Sequence, residues 1–300
     1  MLFRSNYENF NGPLIKWVDY YRNILNDFKL KVQEKKISIV MGYINRLKQL
    51  EITIRTIIKS KHKNFEIIIV NDGHENLNYL VEKYKNVDIK IIDNSNKNYI
   101  NPCTSYNKGI HKASGEIIIL QNPECCHIGD LLTITNCLLK ENDYLAFSCY
   151  YLDNYNKNNK LNEILFKNEQ DKIFWSEMRI KDLLKFTLNY SKDSILPQNR
   201  KGWCSHHYYN KNYLHFCTAI YKSDLTKIGN FSDDYKNGIC FDDDDLVRKL
   251  ILNKLNLSYF NIPALPDDYP ALGEFSAFTI HQHHDRFEYS DPNIMDKIGR

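Results

Sequence analysis

The segment 238-GICFDDDDLVRKL-250 sets Asp242, Asp243, Asp244 and Asp245 side by side at the head of an apolar-periodic stretch. Carboxylates at a helix N-terminus cap free N–H groups and meet the positive end of the helix dipole, each gaining about 0.3–1 kcal/mol. Two carboxylates ~6 Å apart repel by roughly 0.7 kcal/mol in water, but by about 3 kcal/mol at an effective dielectric near 20. A solvated run of four is therefore cheap. A run that lines a cleft needs a cation, a donor hydroxyl or a raised pKa.

The elements around this run are those of an α/β protein. Strand patterns at ISIVM (37–41), FEIIIV (65–70), DIKIID (88–93) and EIIIL (116–120) alternate with helical patterns at 47–58, 77–84 and 103–113. Continuous β-branched runs between helices predict a parallel sheet covered on both faces. Ligands of such sheets bind beyond the strand C-termini. This singles out Gly42 to Arg46, Asn71 to His74 and Gln121 to Glu124.

An amphipathic helix is expected over 13–35. After Ser148 the alternation stops, and 151–172 is polar enough to read as a surface insertion. A helix is expected around 176–190, then the aromatic and His-rich loop 202–216. A strand at 215–221, a short helix capped by Ser223 and ended at Gly229, the helix of the Asp run and a strand at 257–262 follow. No internal repeat is present.

Composition bounds the function. The 300 residues are 43% hydrophobic and 13% aromatic, as in a globular chain of one large or two small domains. A net charge of +3, with dispersed lysines, argues against nucleic-acid binding. No run reaches the ~18 apolar residues of a transmembrane segment, and the N-terminus lacks a signal-peptide core. Eight cysteines without a CxxC pair read as buried reduced thiols, so a cytoplasmic location is expected.

Taken in order, the motifs resemble an inverting glycosyltransferase of the GT-A fold, of the large family-2 type related to galactosyl- and N-acetylgalactosaminyltransferases. The resemblance spans about Ile37 to Asp285. KISIVMGYINRLKQLEITIRTI is similar to the opening strand and turn, and EIIIVNDG to the second strand. SYNKGIHKASGEIIIL is similar to the stretch before the metal-binding strand. TAIYKSDLTKIGNFSDDY and GICFDDDDLVRKL are similar to the block that holds the catalytic acid. The fold implied is a Rossmann-like, mostly parallel sheet flanked by helices. It is expected to comprise an N-terminal helical extension (1–36), a nucleotide-sugar-binding half (37–150) and an acceptor-binding half (151–300).

The resemblance implies a metal-dependent transfer of a sugar from a UDP-sugar to a glycan or glycoprotein acceptor. Asp72 lies where the family holds uracil, and Tyr43, Arg46 and Asn107 where side chains contact the nucleotide. The family's Asp-x-Asp is replaced by Gln121-Asn122-Pro123-Glu124, which puts Asn122 and Glu124 at the two acidic positions. An Asn carbonyl with a Glu carboxylate suits Mn2+ or Mg2+, with one negative charge fewer. A late His completes the metal shell in many relatives. His281, His283 and His284 are the candidates, and His281 and His283 are favoured because His-x-His on an extended segment puts both rings on one face. Aligning Leu246 makes Asp243 the catalytic base, Asp242 a neighbour that binds the acceptor, Asp244 variable and Asp245 structural. Trp203 is expected on the acceptor side, where its face suits sugar C–H surfaces.

The rival reading is an inactive GT-A-like module that binds a nucleotide or glycan, suggested by the missing Asp-x-Asp and opposed by the retained acidic block. A nucleotidyltransferase lacks its Gly-rich phosphate loop, and zinc-hydrolase and EF-hand spacings are absent.

Overall fold

The computed structural model describes residues 33–166, 202–207, 210–260 and 277–285. The expected helix at 176–190 lies outside these residues. So does the N-terminal extension, apart from residues 33–36, which lead irregularly into the first strand.

The first half alternates as the apolar runs demand. It contains β1 (Ile37–Tyr43), α1 (Leu47–Ile57), β2 (Phe65–Asn71), α2 (Asn78–Lys83), β3 (Asp88–Asp93), α3 (Cys103–Lys112) and β4 (Ile117–Gln121). β1, β2, β3 and β4 pair in parallel in the order β3-β2-β1-β4.

The second half contains β5 (Cys125–Gly129), α4 (Leu131–Leu138), β6 (Asp143–Tyr151), α5 (Tyr155–Phe166), β7 (Trp203–Ser205) and β8 (Cys217–Tyr221). It continues with α6 (Lys222–Lys227), α7 (Asp242–Leu252), β9 (Asn256–Phe260) and β10 (Ala277–His281). The sheet carries on past β4 as β8-β6-β10-β5, with β7 and β9 also pairing to β6. Parallel β6–β9 and β6–β10 pairings mix with antiparallel β4–β8, β6–β8, β6–β7 and β5–β10. The sheet is thus parallel in its N-terminal half and mixed beyond it.

Two local expectations need correction, and one unassigned stretch is filled. β5, α4 and β6 occupy a stretch that the sequence left unassigned. The polar segment expected as an insertion folds over Tyr155–Phe166 as α5, burying Leu161 and Leu165. α6 begins at Lys222 with no side-chain cap, so Ser223 sits inside it; Gly229 does follow it with φ +84°.

Strand alternation explains the two layers. Ile37, Ile39, Met41 and Tyr43 of β1 pack with Leu50, Ile54 and Ile57 of α1. Val40 faces the other side, with Tyr106 and Ile110 of α3 and Leu246 and Leu250 of α7. α3 lies so close to the sheet that a Cβ on Gly109 would come within 2.4 Å of Val40 Cγ1.

Candidate active site

The site lies beyond the C-terminal ends of β1, β2 and β4. At the end of β1, Tyr43 is buried, its hydroxyl pairs with Glu75, and it accepts the Arg46 N–H at 3.1 Å. Burial and the Glu75 carboxylate push the Tyr43 phenol well up. Tyr43 therefore fastens the turn, which passes through Asn45 at φ 49° and delivers Arg46 to the next loop. Arg46 Nη1 donates to both oxygens of Glu124 at 3.0 Å.

Glu124 is 2% exposed. Besides Arg46 it meets His281 Nε2 at 3.1 Å and His284 Nε2 at 3.4 Å. Burial pushes its pKa up, but the two imidazoles and the Arg46 charge outweigh that and hold the carboxyl well below its usual range. One carboxylate oxygen and two imidazole nitrogens lie close enough together to bind one ion. Among the described residues, His281 Nδ1 is buried without a hydrogen-bond partner. The donor set fits a divalent cation.

His283 is not part of this group. β10 ends at His281, and Gln282 turns inward to donate to the Glu124 and Gln49 carbonyls at 3.0 and 3.1 Å. The strand alternation that would put His283 beside His281 therefore stops, and His284 takes the place. The His283 backbone is tied to Asn158, its carbonyl also accepts from Gln49, and its ring packs on Tyr155. Asn122 also stands apart, its side-chain oxygen accepting from the Tyr106 hydroxyl at 3.1 Å.

Asp72, directly after β2, is buried and receives Lys97 at 2.9 Å and the Ser105 hydroxyl at 2.7–2.8 Å. A cavity of about 240 Å³ beside it is lined by Asn94, Lys97, Tyr99 and Lys108. Asn107 is committed elsewhere: it exchanges hydrogen bonds with the Phe231 backbone at 3.0 and 3.1 Å, locking α3 to the loop before α7.

The four aspartates have four different surroundings. Phe241, at φ 71°, turns the chain sharply into α7, a conformation costly for a bulky residue. Asp242 is buried and accepts from Asn101 at 2.8 Å; burial and the neighbouring Asp243 charge raise its pKa. Asp243 is 34% exposed at its side chain and pairs with His215. Asp244 is exposed, and Asp245 pairs with Lys249 at 3.2 Å, one turn on. Trp203 is half-buried against Tyr150 and Phe278, with its ring also near His206.

Two residues at the centre of the site carried no sequence signal of their own. Tyr106 is fully buried, and its hydroxyl donates to the Gln121 carbonyl as well as to Asn122. Burial and the charges of Glu124, Asp243 and Asp242 raise its pKa. His215, just before β8, stands edge-on to Tyr106 at 4.6 Å.

Comparison with known proteins agrees with this architecture. The sequence is 27% identical over 121 residues to an uncharacterised glycosyltransferase of Rickettsia bellii, a match covering 40% of this chain and 17% of that protein. A similar protein of Rickettsia conorii matches at 27% identity over 39% of this chain and 19% of its own length. The chain thus spans less than a fifth of the curated relatives it matches. S. aureus TarS residues 1–349, solved in complex with UDP-GlcNAc, superposes with a TM-score of 0.52 at 14% identity, covering 84% of this chain and 59% of that one. That likeness shows the GT-A fold. Residues 38–200, more than half of the sequence, match glycosyl transferase family 2, and the chain belongs to that family.

Proposed function

We propose that the protein transfers a sugar, with inversion, from a UDP-sugar to an acceptor hydroxyl. The observation that carries this reading is the pair of side-chain clusters, Glu124 with His281 and His284 and the part-exposed Asp243 with Asp242 and His215, in a chain of glycosyl transferase family 2. Asp243 takes the acceptor proton as the acceptor oxygen attacks the anomeric carbon and the bond to the diphosphate breaks. Asp242, held by Asn101, hydrogen-bonds a neighbouring acceptor hydroxyl. Glu124, His281 and His284 hold a divalent cation, which when bound offsets charge on the leaving diphosphate. Asp72 and the cavity beside it receive the nucleobase, and Trp203 flanks the acceptor.

The test is calorimetric titration with UDP, with and without Mn2+, on the wild type and Glu124→Ala. Micromolar binding that needs the metal and is lost in the variant is expected. Absence of UDP binding under every condition refutes the UDP-sugar donor.

A further inference from the structure

We infer that His215 is a positioning residue for the proposed base: its imidazole fixes one oxygen of Asp243 inward and leaves the other for the acceptor hydroxyl. The inference rests on the reading of Asp243 given above.

Asp243 Oδ1 is buried and faces His215 Nδ1. The 34% exposure of the side chain therefore lies away from Oδ1, on the part that an acceptor can reach. His215 is itself firmly held. The Phe216 N–H donates to the Leu214 carbonyl at 2.9 Å, closing a tight turn around it. Its ring stands edge-on to Tyr106 at 4.6 Å and to Phe231 at 5.1 Å. These contacts come from α3 and from the loop before α7, not from α7 itself. The imidazole thus refers the Asp243 carboxylate to a rigid wall outside the helix that carries it.

Tyr106 extends this wall toward Glu124, since its hydroxyl joins Asn122 and the end of β4. Tyr106 therefore touches both His215, the partner of Asp243, and Asn122, two residues before Glu124. His215 also pairs with the second of two adjacent acids, one of them buried. The groups facing it are Asp242 and Asp243 from α7, the neutral Tyr106 phenol from α3 and the apolar Phe231 ring. Burial pushes the His215 pKa down, but the two aspartates outweigh it and raise it above the ordinary value.

The experiment has two arms on the full chain. In the first, ¹⁵N-histidine spectra are followed through a pH titration, with the His215 signals identified by their loss in His215→Asn. His215 is expected to titrate above its ordinary value of about 6.5, and lower in Asp243→Asn. Titration at or below the ordinary value, or no response to Asp243→Asn, overturns the pairing.

The second arm measures UDP release from a panel of UDP-sugars. His215→Ala is expected to lower kcat by about 30-fold or more with donor KM within about threefold, a loss confined to the chemical step. His215→Asn, whose amide can still donate to Asp243, is expected to recover part of kcat, and it serves alone should the Ala variant not fold. An unchanged kcat in His215→Ala, a change in KM alone, or no difference between the Ala and Asn variants overturns the inference. Loss of turnover in Asp243→Asn but not in His215→Ala sinks it while sparing the transferase reading. Absence of UDP release from every donor by the wild type, or full turnover in Asp243→Asn, removes that reading and this role with it.

Discussion

Arg46 is expected to compete with the divalent cation for Glu124, and Arg46→Ala to tighten Mn2+ binding. Two unit charges 4 Å apart interact by about 4 kcal/mol at an effective dielectric of 20, and Arg46 Nη1 stands 3.0 Å from both carboxylate oxygens. An entering ion must part this pair or face the guanidinium at close range, where the repulsion is about twice as large. The Arg46 side chain is 21% exposed, so it can swing outward and regain hydration, which offsets most of that cost. A net penalty of about 1.4–2.8 kcal/mol remains, equal to roughly 10–100-fold in Kd. Calorimetry with Mn2+ alone measures it directly. Arg46→Lys keeps the charge and is expected to stay within about threefold of the wild type. The metal-free Arg46→Ala protein should melt earlier, because removing one partner of a buried pair leaves Glu124 with imidazoles alone; Mn2+ should restore more of its stability than it adds to the wild type. Unchanged or weaker Mn2+ affinity in Arg46→Ala, or the same gain in Arg46→Lys, refutes the competition.

Two further outcomes follow from the geometry. His281→Ala and His284→Ala should each weaken Mn2+ binding by about 10-fold or more, whereas His283→Ala should leave it nearly unchanged; loss in His283→Ala with retention in His284→Ala would reverse the assignment of the tail. Far from the site, burial would raise the pKa of Glu66, but Lys90, Ser38 and Ser114 outweigh it and bring it down to about 2. Because this folded-state value lies below the ordinary one, the stabilisation is present above the unfolded pKa and is lost as pH falls from about 4.5 toward about 2. Melting temperatures across that range should fall more steeply for the wild type than for Glu66→Gln, and parallel curves would refute the linkage.

The parallel half of the fold was legible because β1, β2 and β4 are buried on both faces, so their sequences are unbroken β-branched runs. The second half was obscured by composition. β5 is CCHIG and β6 is DYLAFSCYY, in which Cys, His, Ser and Asp interrupt the apolar signal though nearly every position is buried. α5 was hidden by its Asn and Lys residues, because Lys157 and Asn158 are buried alongside Leu161 and Leu165, with Ile164 and Phe166 packing only in part. Motif order brought attention to Asp72, Glu124 and the Asp run. It could not say that Asn107 would be occupied by the Phe231 backbone, since that contact spans 124 residues.

The tail and the Asp run show what decides between a side chain that merely fits a pattern and one that reaches the site. For the tail, periodicity favoured His281 with His283, whereas the structure brings His284 beside His281, because Gln282 finds three acceptors inside the protein and ends the strand there. For the run, four identical residues could not be told apart by type. Their roles are set by what lies opposite each: Asn101 for Asp242, His215 for Asp243, solvent for Asp244 and Lys249 for Asp245. Two of these partners, Asn101 and His215, come from distant loops. One helix start can therefore hold an acid whose pKa burial raises beside one left part-exposed, and the difference between them lies in the loops before α3 and β8 rather than in the run itself.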